Sequence, residues 1–451
     1  MSESVTQADV TNDLPTTTPT ASTEVGSYFI SNYPPYSQWT ADALPDVRDA
    51  LNTPPTVDTP LGLYLHIPFC RKRCKFCYFK VFTDVNAAEV QRYVDALESE
   101  IAVLADRPAM GGRPFRFVYF GGGTPSFLAP KQLTKLADRL RQHVRWDGAE
   151  EVTFECEPGT LSKTKVETLR DVMGVTRLSL GVENFDDDIL ETNGRAHLSK
   201  QVFAAWEWIR DNDFPNVNID LIAGMVGETW ENWRENIRRT LELAPESVTI
   251  YQMELPYNTV ISQGLLKGGG ESPIADWQTK RDWVRYAFDT LGENGYSVSS
   301  GYTMVRDASA VNFSYRDNLW HGSDLLSTGI ASFGHVAGVH YQNVAKMTDY
   351  LAACESGDLP LGRGYVPTPR QRMIRELVLL LKRGRVRFDY FRDKFGVDVA
   401  DDYAAVWQRY ASEGLGRRTD DGFELTTDGL LRVDSLLPAF FEPEFRDVRY
   451  T

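Results

Sequence analysis

Short apolar or β-branched runs recur through the middle of this chain and alternate with longer stretches of helical period. LGLYLHI, FRFVYF, EVTFECE, VTRLSL, NVNIDLIAG and SVTIYQM read as strands, with segments such as AAEVQRYVDALESEIAVLA and TWENWRENIRRTLELA as helices between them. Six β–α repeats in series predict a parallel sheet with helices outside it. Gly, Pro, Glu or Asp follow the strand ends closely, which fits loops carrying chemistry at the C-terminal edge of a barrel. The expected fold is α/β, a partial (β/α)6 TIM-like barrel spanning residues 60–360.

On either side of this region the pattern changes. Residues 1–27 are rich in Ser, Thr, Pro and Asp and are expected to be a disordered tail. Residues 28–59 open on YFISNYPPYSQW, whose aromatics should pack on the barrel and are placed to cap its site. Residues 361–451 read as a winged-helix-like domain: helical segments, then GLGRRTDDGFELT as a two-stranded wing around an Asp-Gly turn, then TDGLLRVDSLLPAFF as a closing helix. A winged helix taken alone would suggest a DNA-binding regulator, but fold is not function. Its charges are mixed, and the 63 acidic against 48 basic side chains of the whole chain give a net charge of −15. That is poor footing for neutralising phosphates. No run approaches the roughly 18 to 20 apolar residues of a membrane span, and the N-terminus lacks the charged and apolar regions of a secretory signal. The expectation is a cytoplasmic protein with neither nucleic acid nor membrane as a partner.

The sharpest chemical signal is Cys70-Arg-Lys-Arg-Cys74-Lys-Phe-Cys77, a C-x-x-x-C-x-x-C loop directly after the first strand. Clustered cysteines in a chain without a disulfide framework read as metal ligands. Thiolates at this spacing can wrap an iron–sulfur cluster and, being three, leave one of four irons open to a small molecule. A zinc site is the alternative, with His66 as a fourth ligand. Cys156 and Cys354 are isolated and read as buried fillers, Cys156 keeping a place near the chemistry by its strand.

With LYLHIPFCRKRCKFC, FGGGTPS, FECEPGT, RLSLGVENF, GRAH and NIDLIAG in this order, the chain resembles the radical S-adenosyl-L-methionine (SAM) superfamily, in the branch of oxygen-independent coproporphyrinogen III oxidase. The resemblance runs over about residues 60 to 440. It implies a [4Fe–4S] cluster on Cys70, Cys74 and Cys77 and one or two SAM molecules. It places Tyr64, Gly121, Gly122, Gly123, Thr124, Glu155, Glu183, Arg195 and Asp220 at the SAM site, with Tyr64 and Glu183 closest to the reacting atoms. Bare backbone at the glycines and carboxylates facing an ammonium and hydroxyls suit such a zwitterionic ligand without the family label.

The departures narrow the function. Glu183 stands where the family commonly has Gln. Tyr78 and Phe79 follow Cys77 where the oxidase carries another Cys. Of the heme chaperones' H-N-x-x-Y-W motif, the stretch Tyr315–Trp320 keeps only the Trp, with His321 as a displaced ligand and His335 and His340 as structural histidines. The resemblance implies that the cluster cleaves SAM to a 5′-deoxyadenosyl radical, fed by a low-potential donor such as flavodoxin or ferredoxin. The departures favour carbon methylation or cyclopropanation of a planar or unsaturated small molecule with a second SAM. Oxidative decarboxylation of coproporphyrinogen III and heme carriage remain as alternatives.

Overall fold

The computed structural model of the chain describes residues 22–55 and 58–450. Most of the expected disordered tail, residues 1–21, lies outside the described residues; from Ser22 onward the segment is packed, with Thr23 buried. Strands β1 (Leu61–Ile67), β2 (Phe115–Gly122), β3 (Glu151–Cys156), β4 (Arg177–Glu183), β5 (Asn216–Ala223) and β6 (Ser247–Gln252) lie side by side in chain order, all parallel. Helices fill the crossovers, among them Ala87–Ala105, Pro130–His143, Ser199–Arg210 and Trp230–Leu243. β1 is covered on both faces: Leu61, Leu63, Leu65 and Ile67 are buried on one, and Gly62 and His66 on the other. Local signals set the helix starts. Asn86 Oδ1 accepts from the Ala88 and Glu89 amides while Glu89 Oε2 accepts from the Asn86 amide, a reciprocal cap that satisfies otherwise orphaned donors.

The six parallel strands are half of a twelve-stranded open sheet. Beyond β6 run the antiparallel β7 (Ser297–Val298) and β8 (Thr303–Val305). Beyond β1 come the parallel β9 (Asp324–Thr328) and then β10 (Phe333–Val336), β11 (Val339–Asn343) and β12 (Leu361–Tyr365) in antiparallel order. The main sheet therefore runs past the boundary expected at residue 360. The C-terminal region carries a sheet of three strands rather than two: β13 (Arg385–Arg387) joins the hairpin of β14 (Gly416–Arg418) and β15 (Gly422–Leu425). The expected closing helix is broken into Thr427–Leu431, Val433–Leu436 and a 3-10 turn at Leu437–Phe440, where Pro438 removes an amide donor. Among the described residues no helix is long and apolar enough to cross a membrane.

The aromatic N-terminal segment is tied to both regions. The Gly26 amide donates to Leu255 O at 2.8 Å, Tyr28 stacks on Tyr450, and Thr40 pairs with Gly364 of β12. Trp39, 4% exposed, stacks at 5.1 Å on His340, whose Nδ1 lies 2.9 Å from His335 Nδ1. Burial holds both imidazoles well below their usual range, and nearby Arg375 and Arg372 act in the same direction. Because the folded state disfavours the proton, stability from this pair is fully present above the unfolded value near 6.5 and is lost as pH falls below it. Urea unfolding of the parent at pH 5 should show a loss of up to about 2 kcal/mol per imidazole that a His335→Phe/His340→Phe variant escapes.

Candidate active site

The cysteine loop leaves β1 and is held closed at its base. The Phe82 amide donates to Pro68 O and the Cys70 amide to Phe82 O. Further along, the Lys75 amide donates to Asn193 O, and Arg73 Nη2 donates to Cys77 O and Asn258 O. Cys70, Cys74 and Cys77 all border one cavity of about 340 Å³ at the C-terminal ends of the strands. Burial pushes the Cys70 thiol up to about 12 and Cys77 up to about 11. Among the described residues no group of three or more His, Cys, Asp or Glu side chains is arranged to hold a single metal ion, so the zinc alternative finds no ready-made site.

The glycine turn after β2 forms the next wall. A Cβ on Gly123 would sit 3.0 Å from Cys70 Sγ and 2.9 Å from the Pro68 carbonyl carbon, and Gly122 has φ +116°. Only bare backbone lets this turn pass so close to the cysteine loop. Thr124 Oγ1 donates to Cys70 Sγ at 3.3 Å. The structure does not bring Tyr64 or Gly121 to the cavity surface. In the parallel register Tyr64 sits beside Tyr119, whose ring stacks on it at 5.8 Å, so Tyr119 forms the wall while the Tyr64 hydroxyl turns toward His66 Nδ1.

Glu155, Asp220, Glu183 and Arg195 bring charge to the interior. Glu155, on β3, accepts from Tyr119 OH at 2.7 Å and from the Gly122 amide at 3.1 Å; burial raises its carboxyl to about 7. Asp220, on β5, accepts from Ser179 Oγ and Asn218 Nδ2, both at 2.8 Å, and is also raised by burial. Glu183 ends β4 at a bulge, with φ +65°, a left-handed conformation that a side chain rarely adopts. The bulge aims its carboxylate at the cavity, 3.5 Å from Arg195 Nη2. Burial raises Glu183 to about 7 against the opposing pull of Arg195. Arg195 donates through Nη2 to Gly181 O at 2.7 Å and through Nη1 to Cys74 Sγ at 3.4 Å, which couples the cysteine loop to β4.

Several groups at or just behind the lining were not singled out in the sequence. Ser179, on the cavity wall, and Asn218 behind it carry the signal in retrospect: with Gly181 and Asp220 they occupy alternate positions of β4 and β5, a polar inner face in otherwise apolar strands. Glu157 and His197 form a buried pair at 2.8 Å, the His also donating to Val182 O. The mouth is aromatic. Tyr78 and Phe79 stack at 4.5 Å, and Phe29 of the N-terminal segment meets Tyr251 edge-on at 5.7 Å.

Comparison with known proteins agrees with this geometry. Residues 64–240 match the radical SAM superfamily. The heme chaperone HemW of Lactococcus lactis subsp. lactis (strain IL1403) is 30% identical over 377 residues, spanning 81% of this chain and 95% of that protein. This chain belongs to the radical SAM superfamily. Within it, the oxygen-independent coproporphyrinogen III oxidase of Escherichia coli (strain K12) is 26% identical over 398 residues, 85% of this chain and 86% of the oxidase. The solved structure of coproporphyrinogen III oxidase (HemN) from Escherichia coli, a radical SAM enzyme, superposes with a TM-score of 0.78 at 25% identity. The superposition covers 91% of this chain and 96% of that one. The radical SAM chain thus lies in the coproporphyrinogen oxidase-like branch, and its cofactors are a [4Fe–4S] cluster and SAM. The three thiols bordering one cavity and the glycine turn kept bare beside Cys70 fit such a group.

Proposed function

We propose that this protein is an oxygen-independent oxidase that abstracts hydrogen from a broad tetrapyrrole substrate of the porphyrinogen class and drives its oxidative decarboxylation, the remaining electron of the substrate radical passing to an external one-electron acceptor as CO2 leaves. One observation carries the reading: a single cavity joins the three cysteines to an aromatic mouth walled by Phe29, Tyr78, Phe79 and Tyr251, which suits a broad ring system. Cys70, Cys74 and Cys77 would hold the cluster. The turn Gly122–Thr124, with Glu155, Glu183, Arg195 and Asp220, would hold SAM. A cluster held there would, once reduced, supply the electron for the cleavage of SAM. Glu155, Glu183 and Asp220 would face the ammonium and hydroxyls of the ligand, while Arg195 offers a counter-ion for its carboxylate. Tyr119, donating to Glu155, fixes the direction of that carboxylate.

Electron delivery by an acidic carrier such as a flavodoxin or ferredoxin is supported by Lys72, Lys75 and Lys80. They are exposed around the cysteine loop and none is ion-paired among the described residues.

Nothing in the relatives compared supports carbon methylation with a second SAM, which the departures from the family pattern had suggested. Heme carriage is favoured by the HemW relative, but among the described residues no histidine borders the cavity. His321 donates to Asp317 O, and His335 and His340 are paired with each other. Product analysis with coproporphyrinogen III under anaerobic conditions tests the reading. 5′-Deoxyadenosine with loss of CO2 from the substrate supports it; S-adenosylhomocysteine with a methylated product, or bound heme without turnover, overturns it.

A further inference from the structure

A second cavity, of about 360 Å³, lies where the N-terminal segment meets the C-terminal tail. Tyr28 borders this cavity while its neighbour Phe29 borders the first, and Pro256 stands in the wall of both. The two cavities therefore sit side by side, and none of the groups assigned above to the cluster or to SAM lines the second. The tail that forms one of its sides is pinned in place. The Ser37 amide donates to Tyr450 O at 3.2 Å, Ser37 Oγ donates to Arg449 O, and the Asn32 amide donates to Tyr450 OH at 2.6 Å. Gly26 passes at φ +110° beside the Tyr257 hydroxyl, which a Cβ there would meet at 2.9 Å.

Donors dominate its lining. Arg449 lays its guanidinium over the Tyr257 ring, 4.7 Å from the centroid, and enters no ion pair among the described residues. Stacking of this kind uses the face of the guanidinium and leaves its N–H edge for a planar acceptor. Arg446 borders the same space, oriented by Nε, which donates to Phe441 O at 3.2 Å. Burial, with Glu254, Asp434 and Asp447 nearby, pushes the Tyr28 phenol up to about 12, so it keeps its proton at neutral pH and stays a donor. Asp447 is the one acidic side chain among the described lining residues, against two guanidiniums. In a chain of net charge −15 such a balance is local and specific to this cavity.

We propose that Arg446 and Arg449, with the Tyr28 and Tyr257 hydroxyls, form an anion subsite that anchors a carboxylate arm of the substrate whose ring occupies the neighbouring cavity. A ring too broad for the first cavity alone extends its arms past Pro256, and the guanidinium fork matches a carboxylate in plane and in donor spacing. The inference rests on the reading that the first cavity takes a broad ring substrate, and it names what the protein reads at the edge of that ring. The subsite selects acidic arms over esterified or alkyl ones, because those would leave its guanidiniums without a counter-charge.

Fluorescence titration of the full-length, cluster-loaded protein without oxygen tests it, with coproporphyrin III and its tetramethyl ester as the probes. The ester keeps the ring and its plane but loses the anionic arms. The parent should bind the acid at least about tenfold more tightly than the ester. In Arg449→Gln that preference should shrink by at least about fivefold, and Arg449→Lys, which keeps the charge without the fork, should recover part of it. SAM affinity should be the same in all three proteins. Equal or tighter binding of the ester by the parent overturns the subsite while leaving the broad-ring reading standing, and this arm needs no variant. A full preference for the acid in both Arg449→Gln and Arg446→Gln/Arg449→Gln also overturns it, since the arms would then be held elsewhere. Weakened SAM binding in Arg449→Gln would assign the cavity to that cofactor, which again overturns the proposal. Failure of the parent to bind either porphyrin overturns the broad-ring reading itself.

Discussion

Cys74→Ala is expected to remove the cluster's iron and to lower 5′-deoxyadenosine formation by at least about 10³-fold, because the ligand set acts as a unit. Cys74 is the cysteine that Arg195 touches, so its loss also frees the guanidinium that links the loop to β4. Cys354→Ala is the matched control: its thiol is buried in the helix Met347–Glu355, away from the cavity, and the variant should keep its full iron content. The same chemistry has a pH signature. Burial raises Cys70 and Cys77, so cluster assembly must release their protons and should proceed further as pH rises. Iron and sulfide analysis of the parent, Cys74→Ala and Cys354→Ala decides this. A cluster retained by Cys74→Ala would remove Cys74 from the ligand set.

Arg195→Met should have the second largest effect. Arg195 Nη2 donates to Gly181 O, Nη1 reaches Cys74 Sγ, and Glu183 stands 3.5 Å away in a buried, left-handed position. Stranding a buried carboxylate can cost about 3 to 5 kcal/mol. Here the cost is smaller, because Glu183 already titrates near about 7 and rises further without the cation, so it takes a proton instead of standing as a bare charge. The expected loss is about 1 to 3 kcal/mol of stability, together with at least a tenfold (roughly 1.4 kcal/mol) loss of SAM affinity. Arg195→Lys should not restore binding, since one ammonium cannot reproduce the fixed fork of donors toward Gly181 and Cys74. Calorimetric titration with SAM separates the two effects; unchanged affinity in Arg195→Met would exclude a direct role at the ligand.

Much of this was legible in the residues. The six parallel strands were readable because helices bury one face of each, which keeps short apolar and β-branched residues recurring along them even where the inner face turns polar. The cysteine loop was readable because spacing alone defines it. The outer half of the sheet was not. β9 is the polar-looking DLLST, and β10 and β11 are joined through Ala337 and Gly338, both at positive φ, rather than through an Asn-Gly turn. β9 owes its strand character to pairing with distant β1, a long-range effect with no local trace, and β10 then pairs on β9. Glu183 was identified as a site residue, but its strain was invisible, since a bulge depends on register rather than composition. Tyr64 was expected at the ligand; alternation along one strand does not reveal that its ring stands beside Tyr119 of the neighbouring strand. Tyr28 and Arg449 stand near opposite ends of the sequence; only the tertiary fold brings them to one cavity.

The central claim, hydrogen abstraction inside this cavity, is tested most directly by isotope transfer. Coproporphyrinogen III deuterated on the propionate carbon next to the ring would be turned over with SAM and reductant in the absence of oxygen. The account predicts deuterium in the 5′-deoxyadenosine, with CO2 released from the labelled side chain. Unlabelled 5′-deoxyadenosine beside unchanged porphyrinogen, or label retained in a methylated product, would contradict it.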